Sequence, residues 1–200
     1  FDGGSSGYGT AYQLSLKGGV WNQTILYNFC SQAECTDGAY PAAPMVQDSS
    51  GNLYGTTEEG GLACSNAGLQ GLSCGVIFKL VPNGNASQET ILYQFCSQDD
   101  CKDGAIPDGG LLIDNSGNLF GTTVHGGGND NQQGNAGAGV VFEFTGSRLN
   151  VLYSFCAGGG LCADGWAPAG TLVTDGAGTL FGTTVFGGGV GEGEVFKLKP

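Results

Sequence analysis

Eight cysteines are the side chains in this sequence best suited to covalent chemistry. They fall into four close pairs: Cys30/Cys35, Cys64/Cys74, Cys96/Cys101 and Cys156/Cys162. Such pairs serve two chemistries. Zinc favours Cys-x-x-Cys spacing or histidine partners, whereas here the spacings are wider and His125 is the only histidine. An even count in regular short pairs fits disulfides formed in an oxidising compartment. The pairs recur with their surroundings, so bridges closed within single repeats are expected, each contributing about 2 kcal/mol through loop-closure entropy. Bridged sulfurs are not nucleophiles, and no metal is expected.

Other reactive constellations are sparse. Hydrolysis needs a nucleophile with its base, or two poised carboxylates. His125 lies in Val124-His125-Gly126-Gly127-Gly128 and reads as a surface-loop histidine, with Glu58 and Val185 at the nearest places in the other repeats. Arg148 is the only arginine, which excludes an arginine cluster for a carboxylate ligand. Asp37, Asp103 and Asp164 each precede glycine. They could line a groove or join a calcium site, which needs about six to eight oxygens. The simpler reading is a turn made through the side-chain acceptor. Asp48, Asp114 and Asp175 read as hairpin residues, and Asn129-Asp130-Asn131 as a loop. Trp21 and Trp166 open a sugar-stacking reading, against packing on a neighbouring unit. Asn22-Gln23-Thr24 and Asn85-Ala86-Ser87 match the glycosylation pattern. No catalytic residue and no cofactor is expected.

The elements around these residues repeat. Cys30…Cys35-Thr36-Asp37-Gly38-Ala39 returns as Cys96…Cys101-Lys102-Asp103-Gly104-Ala105 and as Cys156…Cys162-Ala163-Asp164-Gly165-Trp166. Gly51-Asn52-Leu53-Tyr54-Gly55-Thr56-Thr57 returns at 117–123 and 178–184. The Asp-Gly steps at 37, 103 and 164 are 66 and 61 residues apart. A long fixed period means supersecondary units that bury a core by stacking. Four strand-like runs fill each unit. The first is Val76–Leu80, with Val140–Phe144 and Val195–Leu198. The second is Thr90–Phe95, with Thr24–Phe29 and Asn150–Phe155. The third is Leu111–Asp114, with Met45–Asp48 and Leu172–Asp175, and the fourth is Leu119–Thr123 with its counterparts. No helical periodicity appears, so the expected fold is all-β: three tandem four-stranded antiparallel units, propeller-blade-like, plus one surplus strand. The whole of 1–200 reads as one repeat domain with units at about 17–82, 83–147 and 148–200, and 1–16 as an extra partial unit. Residues 58–75 and 125–139 read as surface loops.

Composition narrows the partners. The net charge is −12 with six Lys+Arg, so no basic patch exists to neutralise nucleic-acid phosphates or an anionic bilayer. No run approaches the roughly 18 apolar residues of a membrane span, and no insertion is expected. No charged-then-apolar leader opens the sequence, so secretion would imply a leader already removed. Forty glycines without a three-residue period exclude collagen.

The succession Leu-Tyr-x-Phe, Cys, Asp-Gly-Ala, Pro, an apolar pair, Asp, Gly-Asn-Leu-Tyr-Gly-Thr-Thr, Gly-Gly, Val-Phe-Lys-Leu resembles the Gloeobacter/Verrucomicrobia tandem repeat across nearly the whole chain. That resemblance implies an exported bacterial surface protein and carries no catalytic residues. Residues 48–56 are also similar to the turns of propeller blades and sialidase Asp-boxes, where the motif is structural.

The strand count suggests a function. The first type occurs four times, counting the run at Thr10–Leu16, and the other three types three times each. Thirteen strands therefore compete for twelve places, while propellers close with about four to eight blades. Either the N-terminal strands complete the last blade by ring closure and leave one copy frayed, or the extra strand belongs to a neighbouring molecule, since an unpaired strand is a template for pairing between chains. Thr10, Tyr12, Leu14, Val195, Phe196 and Leu198 are thus the candidate assembly residues. The expectation is a non-enzymatic, secreted or cell-surface structural protein that partners itself in an extracellular filament. The alternative is a carbohydrate-binding propeller-like module with glycan partners.

Overall fold

Apolar runs with period two, cut by glycine turns, can bury one face only as strands. In the computed structural model, which describes residues 3–61, 74–84, 86–129, 137–158, 162–189 and 191–200, they form thirteen strands in four antiparallel sheets. A two-stranded sheet pairs β1 (Thr10–Lys17) with β2 (Val20–Asn28). The next has the order β3 (Val46–Gln47), β4 (Leu53–Thr57), β5 (Val76–Asn83), β6 (Ala86–Gln94). A third has β7 (Leu112–Ile113), β8 (Leu119–Thr123), β9 (Val140–Phe144), β10 (Leu149–Ser154). The last has β11 (Trp166–Thr174), β12 (Leu180–Phe186), β13 (Val195–Leu198). Two short 3₁₀ turns, Ala33–Cys35 and Asp99–Cys101, are the only helical elements among the described residues.

The all-β architecture is as expected, but only two of the three expected four-stranded units are complete. The last sheet has three strands, and β1–β2 stand as a separate hairpin. Each complete sheet takes its outermost strand from beyond the 17–82 or 83–147 limit, so the sheets run one strand out of phase with those units. Among the described residues no sheet closes on another.

The sheets stack in chain order, with one apolar cluster at each joint. Ala11, Leu26 and Phe29 of the hairpin meet Val76, Phe78 and Leu80. Ile77 and Phe95 meet Leu111, Phe142, Phe144 and Leu149. Phe120, Val141 and Phe155 meet Leu172 and Leu180. One ring pair recurs at every joint: Phe29–Phe78 at 4.9 Å, Phe95–Phe142 at 5.2 Å and Phe155–Phe196 at 5.1 Å between centroids. The ring lies over the glycine of the inner strand. A Cβ on Gly55 or Gly121 would stand 2.6 Å from Cζ of Phe78 or Phe142, which explains a glycine inside a strand. A bulge recurs as well. The pairing shifts between Ala11/Tyr12, Ile77/Phe78 and Val151/Tyr153, leaving Leu26, Leu92 and Leu152 outside the ladder. Such a bulge re-aims neighbouring side chains: Ile91 packs at the joint behind its sheet and Leu92 at the joint ahead.

Candidate functional site

The repeated cystine loops are built around a carboxylate. The Cys30–Cys35, Cys96–Cys101 and Cys156–Cys162 disulfides are present, with Cα separations of 4.1, 4.0 and 4.4 Å. Cys74 is disulfide-bonded too; Cys64, its expected partner, lies outside the described residues. Inside the second loop, Asp103 Oδ2 accepts from Tyr93 Oη (2.7 Å), Ser97 N (2.9 Å) and Ser97 Oγ (2.8 Å), while Oδ1 accepts from Gln98 N (3.2 Å). Asp37 does the same with Tyr27, Ser31 and Gln32. Asp37 and Asp103 are fully buried. Burial pushes the Asp37 carboxyl upward, and the donors of Ser31, Tyr27 and Gln32 outweigh it, leaving the pKa below the ordinary value. Burial, together with the aspartate beside it, raises the Tyr27 and Tyr93 phenols to about 12. In the third loop, among the described residues, Asp164 receives Tyr153 Oη at 2.7 Å and Ala157 N at 3.3 Å.

These aspartates do more than the Asp-Gly turn expected of them, for they tie the end of one strand to the joint ahead. The tyrosine was a missed functional partner, although its recurrence in Leu-Tyr-x-Phe was the available signal. The oxygens of Asp37 and Asp103 are held by donors, whereas Asp164 accepts through Oδ2 among the described residues and lines the groove along β13. The hairpin reading of Asp48, Asp114 and Asp175 does hold. Asp48 Oδ1 accepts from Ser50 N and Asn52 N, each at 2.9 Å, and Asn52 above all holds its pKa at about 2. Asp114 and Asp175 repeat the turn.

Other singled-out residues take different places. His125 is half-buried, not a surface-loop residue: it bridges Ala105, and its Nδ1 has no hydrogen-bond partner among the described residues. Burial lowers its pKa. Trp166 stacks on Phe186 at 4.4 Å, so one indole face is covered from within its own sheet. Trp21 is 66% exposed. Asn22 is exposed, whereas Asn85 and the stretch Asp130-Asn131 lie outside the described residues.

The two ends of the stack are open. Among the described residues, β1 pairs only with β2, and β13 only with β12. Val195 is 78% exposed, yet the corresponding Ile77 and Val141 are 0% exposed inside joints. Thr56 and Thr122 are buried by the sheet ahead, whereas Thr183 is exposed. Thr56 Oγ1 donates to Gly109 O across its joint at 3.2 Å. At the other end, Tyr12 and Leu14 are 50% and 53% exposed, in the places that Phe78/Phe142 and Leu80/Phe144 fill in the complete sheets. A groove of about 300 Å³ runs along β13, walled by Val141, Tyr153, Phe155, Phe196 and Leu198. It marks where an outer fourth strand would lie, as β10 does beside β9. Thr10, Tyr12, Leu14, Val195, Phe196 and Leu198 thus sit at the two open ends, in two separate groups.

The three disulfides are consistent with an extracellular location, and no helix among the described residues is long and apolar enough to cross a membrane. No curated protein and no solved structure matches the chain. The Gloeobacter/Verrucomicrobia repeat family does, over residues 1–200, in keeping with three carboxylate-centred cystine loops and a repeated ring-over-glycine joint; the chain belongs to that family.

Proposed function

We propose that this is a secreted, non-enzymatic structural repeat protein whose copies join end to end, extending into an extracellular filament. The observation that carries the reading is the exposure of Val195 where Ile77 and Val141 are buried. The last sheet has the first three strands of the repeat order and lacks the outer one; the hairpin has the outer two and lacks the inner pair. Side by side, β11–β12 of one copy and β2 of the next, with either β1 or β13 between them, make one composite four-stranded sheet and leave the other as the surplus strand. The contact is head-to-tail, and a head-to-tail contact propagates unless its rotation closes. Burying Tyr12 and Leu14 where β1 fills the place, or Val195 where β13 keeps it, would contribute about 1.5–3 kcal/mol for each side chain. A non-enzymatic role agrees with the buried Asp37 and Asp103, whose oxygens are engaged in hydrogen bonds.

Sedimentation and electron microscopy of the purified chain test this reading. Filaments, weakened by Val195→Asp or Tyr12→Asp, are the expected outcome. A strictly monomeric protein at high concentration would overturn it, and monomers that bind glycans would favour the carbohydrate-binding alternative.

A further inference from the structure

Beyond assembly, the three sulfurs of Cys74, Cys96 and Cys101 lie within 4.8 Å of one another. Cys74 opens the turn into β5; Cys96 and Cys101 close the loop that leads from β6 towards β7. Ile106 N donates to Cys74 O at 2.9 Å, fixing this approach through the backbone. The same bond recurs where Ala167 N meets Ala138 O and where Tyr40 N meets Tyr8 O. The seat beside each cystine is therefore a general feature of the joint, and a fully buried Ala138 fills it beside Cys156–Cys162. At the joint between the two complete sheets the occupant is a cysteine.

We propose that Cys74, Cys96 and Cys101 form a thiol–disulfide exchange site, through which the bridge at Cys74 and the Cys96–Cys101 bridge trade partners. Exchange proceeds when a thiolate attacks one sulfur of a disulfide and expels the other. Once a small-molecule thiol or phosphine has reduced the bridge at Cys74, the Cys74 thiolate attacks Sγ of Cys101. The Cys74–Cys101 bond forms, the Cys96–Cys101 bond breaks, and the electron pair leaves on Cys96. Attack at Cys101 is favoured by burial: Cys74 and Cys101 are shut from solvent while Cys96 is half-exposed. A thiolate is destabilised in apolar surroundings, so the charge is better placed on Cys96. The site thus moves a reactive thiol from a buried position to an accessible one, with no net oxidation in the transfer itself.

The test is Cys64→Ser in the full chain, labelled with N-ethylmaleimide under non-reducing conditions and mapped by peptide mass. Exchange predicts more label on Cys96 than on Cys74, with a Cys74–Cys101 linked peptide. Label confined to Cys74, with Cys96–Cys101 intact, overturns the proposal. If that variant does not fold, the unaltered protein is treated with sub-stoichiometric phosphine and acid-quenched. A Cys74–Cys101 peptide supports the exchange, and recovery of native pairs and their reduced forms alone refutes it. Cys74→Ala, which copies the Ala138 seat, should fold and yield no rearranged peptide under the same treatment; rearrangement in it would also refute the assignment.

Discussion

Replacing Asp103 by alanine isolates what the buried carboxylate contributes. It accepts four hydrogen bonds, two from the backbone of Ser97 and Gln98 and two from the hydroxyls of Tyr93 and Ser97. A buried donor left unmatched costs about 1–3 kcal/mol. Ser97 and Gln98 are exposed, so water can satisfy part of the loss; the half-buried Tyr93 hydroxyl has less recourse. The expected destabilisation is about 2–4 kcal/mol. Asp164 provides the internal control because, among the described residues, it holds the Tyr153 hydroxyl and a long contact from Ala157 N. Asp164→Ala should cost about 1–2 kcal/mol, and Asp103→Asn, which keeps an acceptor oxygen in place, should fall between the two. Equilibrium urea unfolding with the disulfides intact reads these differences as midpoint shifts at constant slope. A loss below 1 kcal/mol for Asp103→Ala, or a larger loss for Asp164→Ala, would refute the argument that the donors, not the Asp-Gly turn, set the contribution.

Three further outcomes are expected. Glu89 stands between the hairpin and the next sheet, and burial, then the neighbouring Asp37, raises its pKa from 4.5 to about 7. A raised acid disfavours folding as pH climbs from 4.5 to 7, so Glu89→Gln should raise the melting temperature at pH 8, not at pH 4, and flatten that part of the pH profile. Burial and the Asp108 carboxyl likewise raise Glu58 to about 7, so Asp108→Asn should lessen the loss of stability over that window, as thermal melts across pH 4–8 would read. Gly121→Ala should cost about 1–3 kcal/mol by driving a methyl into Phe142 and Leu111; Gly182→Ala should cost less, because Phe196 is only half-buried and can swing aside.

Much of the fold was legible because repetition supplied its own controls. Val140–Phe144, Leu119–Thr123 and Val195–Leu198 coincide with β9, β8 and β13, since alternation and glycine turns leave little freedom about where a strand begins. Trp166–Thr174 was harder: only Leu172–Asp175 alternates visibly, and pairing with β12 extends the strand backwards over Pro168. The Leu-Tyr-x-Phe bulge was illegible, because its cause is a register shift against a partner strand. His125 misled for a related reason. Glycines around it signal a loop, but its bridge to Ala105 is a long-range pairing that no local pattern announces.

The same logic explains why the ends were harder to read than the middle. Residues of one strand type are chemically alike in every copy, yet Val195 is exposed and Val141 is buried. The difference lies in the surroundings: β9 is flanked by β10 and covered by the next sheet, and β13 has neither among the described residues. Within the chain, each joint needs an outer Phe from the sheet behind and a ring-over-glycine pair from the sheet ahead. The last sheet ends at β13 before it can offer that outer Phe, and the hairpin offers Tyr12 with no glycine strand beneath it. Each end therefore lacks what the other carries. With β13 displaced, a composite sheet of β11–β12 and β1–β2 would place Tyr12 over Gly182, where Phe196 lies within the single chain, and continue the period without a new kind of contact. The test is placement rather than strength. Cysteines introduced at Gly182 and Tyr12 should cross-link between copies on mild oxidation, with the native bridges unaffected. Cross-links that form only within one chain would mean that the hairpin folds back on its own last sheet, and propagation would fail.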